Sequence, residues 1–318
     1  MASARNHMRY KITISYDGSA FFGWQRQKDK PTVQGAVETA LFKVYGQFFT
    51  VTGSGRTDEG VHAYGQVAHF DAPDTIAPDK MVNALNHFLP PSVRVLSCEV
   101  APEGFHARKS AKRKTYYYDM YFSGVECPLL VGRALWLGKK GDGEWGMGNG
   151  DKDENLANSE KRIANSGGED LHWQPVGVAR PNPSDTFHSS PPYPIPHPPS
   201  PQRVQAAASL FIGRHDFNAF HCKGSSAQTT VRTIFECAIE PVTLYEKPAL
   251  RLKIAADGFL YKMVRIIAGS LIRVGEGKLA PEDLAELLRT GADWPGKVPA
   301  EACGLYLYSV EYKNNDKL

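Results

Sequence analysis

Gly55-Arg56-Thr57-Asp58-Glu59-Gly60-Val61-His62 sets a carboxylate, a guanidinium and an imidazole between glycines that permit a tight loop. A carboxylate held in this way can attack an electrophilic carbon or stabilise positive charge developing on one. The nearby guanidinium of Arg56 can pair with Asp58, or it can point away from it towards an anion. A surface salt bridge across a turn is the plain alternative, and such exposed pairs contribute little. Just downstream, Val67 and His69 alternate with Ala68 and Phe70 at the period of a β-strand. Asp58 therefore sits on a loop entering a strand, and Glu59 beside it adds a like charge.

A second concentration of chemistry lies in Arg108-Lys109-Ser110-Ala111-Lys112-Arg113-Lys114, five cations in seven residues directly before Thr115-Tyr116-Tyr117-Tyr118. A solvated basic face is one reading of this run. Contact with phosphates is the other, favoured by the stacking aromatics and candidate catalytic loop in the same chain. The net charge of +3 is too small to announce a nucleic-acid partner without that local distribution. Five scattered cysteines, never in C-x-x-C spacing, read as reduced thiols, and the ten histidines form no metal-binding cluster. No apolar run approaches the ~20 residues that span a bilayer. Met1 to Tyr10 is too short and polar for a secretory signal, so a cytoplasmic location is expected, an organellar one with a removed presequence staying open.

The elements that must position these residues are legible as periodicities. Tyr10, Ile12, Ile14 and Tyr16 alternate with polar residues, predicting a half-buried strand ended by Asp17-Gly18. Val33 to Val44 carries helical spacing behind Thr32, a suitable N-cap. Strands near Phe48 to Val51, after the Asp58 loop, and at Val93 to Val100, with a helix at Met81 to Phe88, complete an α+β first domain over residues 8–105. A second α+β domain, 106–318, is expected to hold strands at Thr115–Tyr121, Ile234–Glu240, Leu250–Ala255 and Leu305–Tyr312. Its helices are expected at Arg203–Ile212, at Phe259–Val274 and from about Pro281. Residues 139–200 interrupt it with a Gly/Asn/Pro-rich insert, expected to be mobile, in which 175–201 hold ten of the 22 prolines.

The loop resembles the active-site motif of the TruA family of tRNA pseudouridine synthases, usually G-R-T-D-x-G-V-H-A followed by G-Q-V. Further segments match in the family's order: Tyr16-Asp17-Gly18, Phe22-Gly23-Trp24-Gln25-Arg26-Gln27, Phe105-His106-Ala107-Arg108, Thr115-Tyr116-Tyr117-Tyr118, Arg232-Thr233-Ile234, Phe259-Leu260-Tyr261-Lys262-Met263-Val264-Arg265 and Gly304-Leu305-Tyr306-Leu307. Two departures are Glu59, where alanine is common, and the length of the insert.

The resemblance implies two similar RRM-like, ferredoxin-like α+β halves whose antiparallel sheets join to form a basic catalytic cleft, in a homodimer. It implies isomerisation of uridine to pseudouridine at positions 38 to 40 of the tRNA anticodon stem-loop. No metal, redox group or other small-molecule cofactor is needed, because no external atoms enter. Asp58 is implied as the catalytic carboxylate, Arg56 as the residue that braces the flipped base's vacancy, Tyr116 as the active-site tyrosine and Arg265 as the partner of Asp58. Arg26, Arg108, Lys112, Arg113 and Lys114 are assigned to RNA binding. His62, Gln66 and His69 read mainly as supports of loop and strand. Competing readings are a synthase acting on another tRNA position or RNA, a non-catalytic RNA-binding homologue, and a hydrolase built on Asp58 and His62. The last lacks a nucleophile-elbow motif.

Overall fold

The computed structural model describes residues 7–139, 145–146, 201–224 and 227–312. Nearly all of the 139–200 insert, and the mobility expected of it, therefore lies outside the described residues. Strand β1 (His7–Tyr16) buries Tyr10, Ile12, Ile14 and Tyr16, as its alternation predicts. Helix α1 (Val33–Tyr45) starts where the Thr32 hydroxyl accepts a hydrogen bond from the Gly35 N–H, and it ends at the left-handed Gly46. A two-residue strand β2 (Thr52–Gly53), β3 (His62–Pro73), α2 (Pro78–Phe88) and β4 (Val93–Val100) complete the first half.

The second half opens with β5 (Ala111–Phe122), which carries a parallel partner β6 (Leu135–Lys139) that is in turn paired with β7 (Trp145–Gly146). It continues through α3 (Pro201–Ser209), β8 (Gly213–Asp216), β9 (Val231–Leu244), β10 (Lys247–Ala256), α4 (Met263–Gly275), α5 (Pro281–Thr290) and β11 (Leu305–Tyr312). The sheet runs β4-β1-β3-β11-β5-β10-β9-β8, with β2 on β3. Each half thus repeats one plan. In β4-β1-β3-β2 and in β11-β5-β10-β9, the last main strand pairs with the first and the first with the third.

Within each half these pairings are antiparallel, but the seam between the halves is not. β11 pairs with β3 in parallel, Tyr306 opposite His62 and Leu307 opposite Ala63. Both faces of β3 are covered, so Val67, Ala68, His69 and Phe70 are all buried: Ala68 and Phe70 lie in the main hydrophobic cluster, while on the other face Val67 packs with Phe105 and Ala107 and His69 meets Phe105 edge-on at 6.1 Å. One hydrophobic cluster extends from Tyr10 through Leu307 and includes residues of both halves.

Three expectations need correction. Phe48–Val51 forms no strand: Phe48 is 68% exposed, and the backbone of Val51 is taken by side chains, its N–H by Glu38 and its carbonyl by Gln34. The apolar helix begins at Met263, not Phe259, because Lys262 at φ 58° is left-handed and interrupts the chain there. Helix α3 ends at Ser209, short of Ile212, which is exposed. The short strands β6 and β8 escaped the sequence reading, because four or five residues give too little alternation to detect.

Leu307 is fully buried on the strand lying between β3 and β5. Leu307→Ala should destabilise by about 2–5 kcal/mol and lower the midpoint of a single calorimetric unfolding transition. Two resolved transitions, with only one shifted, would show that the halves unfold independently.

Candidate active site

The loop between β2 and β3 is pinned from several sides through its backbone. Trp24 donates its N–H to the Thr57 carbonyl at 3.1 Å, and the Gln66 amide donates to the Gly55 carbonyl at 2.9 Å. Lys114 Nζ donates to the Ser54 carbonyl at 2.7 Å, while the Tyr16 hydroxyl meets Thr57 Oγ1 at 2.9 Å. Gly23 lies under this loop at φ +84°, where an added Cβ would come within 2.5 Å of the Thr57 carbonyl oxygen. The Gly23-Trp24 dipeptide is therefore the bed on which Asp58 rests.

Asp58 meets its partner from the other half: Arg265 Nη1 lies 3.3 Å from Asp58 Oδ2. Arg265 stands in the first turn of α4 and is itself fixed, its Nε donating to the Ala300 carbonyl at 2.7 Å while the Ala300 N–H donates to the Arg265 carbonyl at 2.9 Å. The left-handed turn at Lys262 aims that first turn at the loop. A cavity of about 710 Å³ opens over the pair and takes in Arg56, Asp58, Glu59, Arg108, Lys114, Tyr116 and Arg265. Lys30 and Lys262 also line it, so six cations face two carboxylates. Such a wall attracts a polyanion.

Tyr116 is buried, its ring set edge-on to Phe259 with centroids 5.1 Å apart. Burial raises the phenol pKa, with Tyr16 and Asp58 adding to the shift, so at neutral pH the hydroxyl is protonated. Lys114 lies two residues earlier on the same face of β5. Burial pulls its pKa down to about 8, helped by the positive charges of Arg108 and Arg232.

The residues expected to bind RNA do not stay together. Arg108 and Lys114 line the cavity. Lys112 is exposed on β5 and does not line it. Arg113, on the opposite face of the strand, donates to Glu236 at 2.8 Å. Arg26 turns to Glu38, with Nη1 3.0 Å from Oε2. Lys30, Lys262 and Phe259 were not singled out by the sequence reading. Two of them belong to the Phe259–Arg265 segment, whose match in register was the available sign.

His62 lies away from the cavity. Its Nδ1 accepts from the Gly18 N–H at 3.1 Å, its ring stacks on Tyr306 at 4.7 Å, and burial lowers its pKa. His69 accepts from the Ala107 N–H at 3.2 Å and so supports the segment that carries Arg108. Both act as supports, and no hydrolytic dyad with Asp58 forms. Among the described residues no group of three or more His, Cys, Asp or Glu could hold a metal ion, and no helix is long and apolar enough to cross a membrane.

A loop carboxylate paired across a seam of two α+β halves, beneath a cation-lined cavity, is an arrangement suited to chemistry on an anionic substrate. Comparison with known proteins gives it a family. The family model described as tRNA pseudouridine synthase matches residues 12–108 and 207–313. "tRNA pseudouridine synthase A" of Methylacidiphilum infernorum is 34% identical over 304 residues, covering 95% of both chains. The protein of the same name from Ruminiclostridium cellulolyticum is 36% identical over 309 residues, covering 96% of this chain and 99% of its own. That of Acetivibrio thermocellus is 34% identical over 302 residues, covering 95% and 98%. The chain belongs to the TruA family of tRNA pseudouridine synthases, which are isomerases. The family model leaves 109–206 unmatched, an interval that holds Tyr116 and Lys114 as well as the insert.

Lys114 is a cation below about pH 8 and neutral above it. Affinity for an RNA stem-loop should therefore fall as pH rises from 7 to 9, and the salt dependence of binding should lose about one phosphate contact. Lys114→Met should bind weakly at both pH values with no such change. Equal pH dependence in wild type and variant, measured by filter binding, would exclude Lys114 as the titrating contact.

Proposed function

We propose that this chain isomerises uridine to pseudouridine in the tRNA anticodon stem-loop, at positions 38 to 40, using Asp58 as the catalytic carboxylate. The observation that carries the reading is the Asp58–Arg265 pair meeting inside a cavity that Tyr116 and five further cations also line. The repeated strand order of the two halves supports describing each as ferredoxin-like, and the cation-lined cavity supports describing their junction as a basic cleft. A homodimer rests on the family resemblance.

The target uridine leaves its stack at a cost of a few kcal/mol and enters the cavity. Arg56, exposed at the cavity's edge, braces the vacated space. Arg265 holds Asp58 through Oδ2, which leaves Oδ1 for C1′ of the ribose. The N1–C1′ bond breaks as Asp58 attacks or stabilises the developing positive charge. The free uracil turns on its axis, C5 bonds to C1′, the C5 proton is lost and N1 gains one, so no atom enters or leaves. Because the buried Tyr116 phenol is protonated, it takes the C5 proton as it releases its own to water, and N1 takes a proton from water in turn; a standing phenolate base does not fit that burial.

Asp58→Asn should abolish pseudouridine formation while changing tRNA affinity less than about tenfold, since size and most RNA contacts are kept. Turnover above about a percent of wild type, in single-turnover tritium-release assays, would falsify the assignment of Asp58. Tyr116→Phe keeps the ring against Phe259 and should retain affinity within about threefold, the stacking being the sequence-tolerant part of the contact, while turnover collapses. If Tyr116→Phe and Tyr116→Leu lose binding and rate alike, the hydroxyl has no separate role.

A further inference from the structure

Arg56 is held by a chain of side chains that runs from the cavity edge into the core. Its Nε donates to Gln25 Oε1 at 3.1 Å. Gln25 Nε2 donates to Gln34 Oε1 at 2.7 Å, and Gln34 Nε2 donates to Glu38 Oε1 at 2.8 Å. Gln34 and Glu38 are buried on α1, whereas Gln25 lines the cavity.

The direction of every link is forced from the buried end. Gln34 Oε1 also accepts the Arg26 N–H at 3.0 Å, and its Nε2 also donates to the Val51 carbonyl at 3.1 Å. Turning that amide over would set a donor against a donor at Arg26, and acceptors against acceptors at Glu38 and Val51. Gln34 therefore presents oxygen to Gln25. Gln25 must answer with its NH₂ and turn its own oxygen outward, where the matching group is a donor. Glu38 anchors the chain: besides Gln34 it accepts the Val51 N–H at 3.1 Å and pairs with Arg26 at 3.0 Å. A carboxylate at one end, a guanidinium at the other and two amides aligned between them polarise one another in the same sense.

We propose that Gln25 is a positioning residue for Arg56, fixing its guanidinium at the cavity edge through this chain anchored on Glu38. The proposal rests on the reading of Arg56 as the residue that braces the flipped base's vacancy. A free arginine loses side-chain entropy each time it enters the RNA stack, and one already held loses less. The effect falls on the flipping step and not on phosphate affinity.

The test is a double-mutant cycle in single-turnover kinetics on whole tRNA, with melting temperatures measured for each variant. Gln25→Ala should lower the rate about tenfold with KM and melting temperature little changed, and should have less than about a twofold effect in an Arg56→Ala background. The loss should also shrink on a substrate whose target uridine is already unpaired. An equal loss in both backgrounds would show that Gln25 touches RNA directly and would overturn the proposal, as would a fall in melting temperature that accounts for the lost activity. Should Arg56→Ala itself leave the rate intact, the reading of Arg56 fails first and the proposal with it.

Discussion

The carboxylate of Asp58 and the guanidinium of Arg265 meet at 3.3 Å across 207 residues of sequence, and the fold can be understood as what makes that meeting possible. Asp58 rides on the loop entering β3, and Arg265 on the helix that follows β10. β11 and β5 lie between those two strands. The parallel contact of β11 with β3 is therefore the step that converts two similar halves into one site. With side chains 23% and 15% exposed, neither charge is fully solvated, so each depends on the other more than a surface pair would. Arg265 cannot drift, because Ala300 holds both its backbone and its Nε.

A single strand, β5, separates catalysis from structure by alternation. Lys114 and Tyr116 face the cavity and Tyr118 on the same side is buried in the core, whereas Arg113, Tyr117 and Asp119 occupy the other face. A slip of one residue would exchange these sets. The register is fixed by the bidentate pairing of Arg251 with Asp119, at 2.7 and 2.8 Å, between residues directly opposite on β10 and β5. Asp119 is nearly inaccessible, so a slipped strand would leave a buried carboxylate without its partner.

How much of this could be read from the sequence follows from the range of the interactions. The Asp58 loop, the alternation of β1 and the helical spacing of α1 depend on neighbours a few residues away, and all were legible. The parting of Lys114 from Arg113 was implicit in strand periodicity, yet the run of charge invited a collective reading. The partner that holds Arg113 on the other face is Glu236, 123 residues on, and the one that pairs with Arg26 is a buried helical glutamate. No local pattern announces either. Phe48–Val51 failed as a strand for a related reason: Glu38 and Gln34 capture the backbone of Val51, so the ladder starts only at Thr52. The parallel seam was also invisible, since Leu305–Leu307 reads as an ordinary strand whatever its neighbour.

The cavity's charge imbalance carries the argument one step further. Six cations line one space, and for Lys114 burial first, then the charges of Arg108 in the cavity and of Arg232 outside its lining, bring the pKa down to about 8. The unliganded site is therefore held in an arrangement less favourable than the same residues would find apart. Asp58, which could offset part of that charge, is held by Arg265 at 3.3 Å. A phosphate backbone entering the cavity would supply counter-charge to the remaining cations. Such binding would return protonated Lys114 to a favourable environment and release counterions of the polyanion in the same event. The cost of assembling the wall is thus borne by the fold in advance, and the incoming anion meets cations already in position.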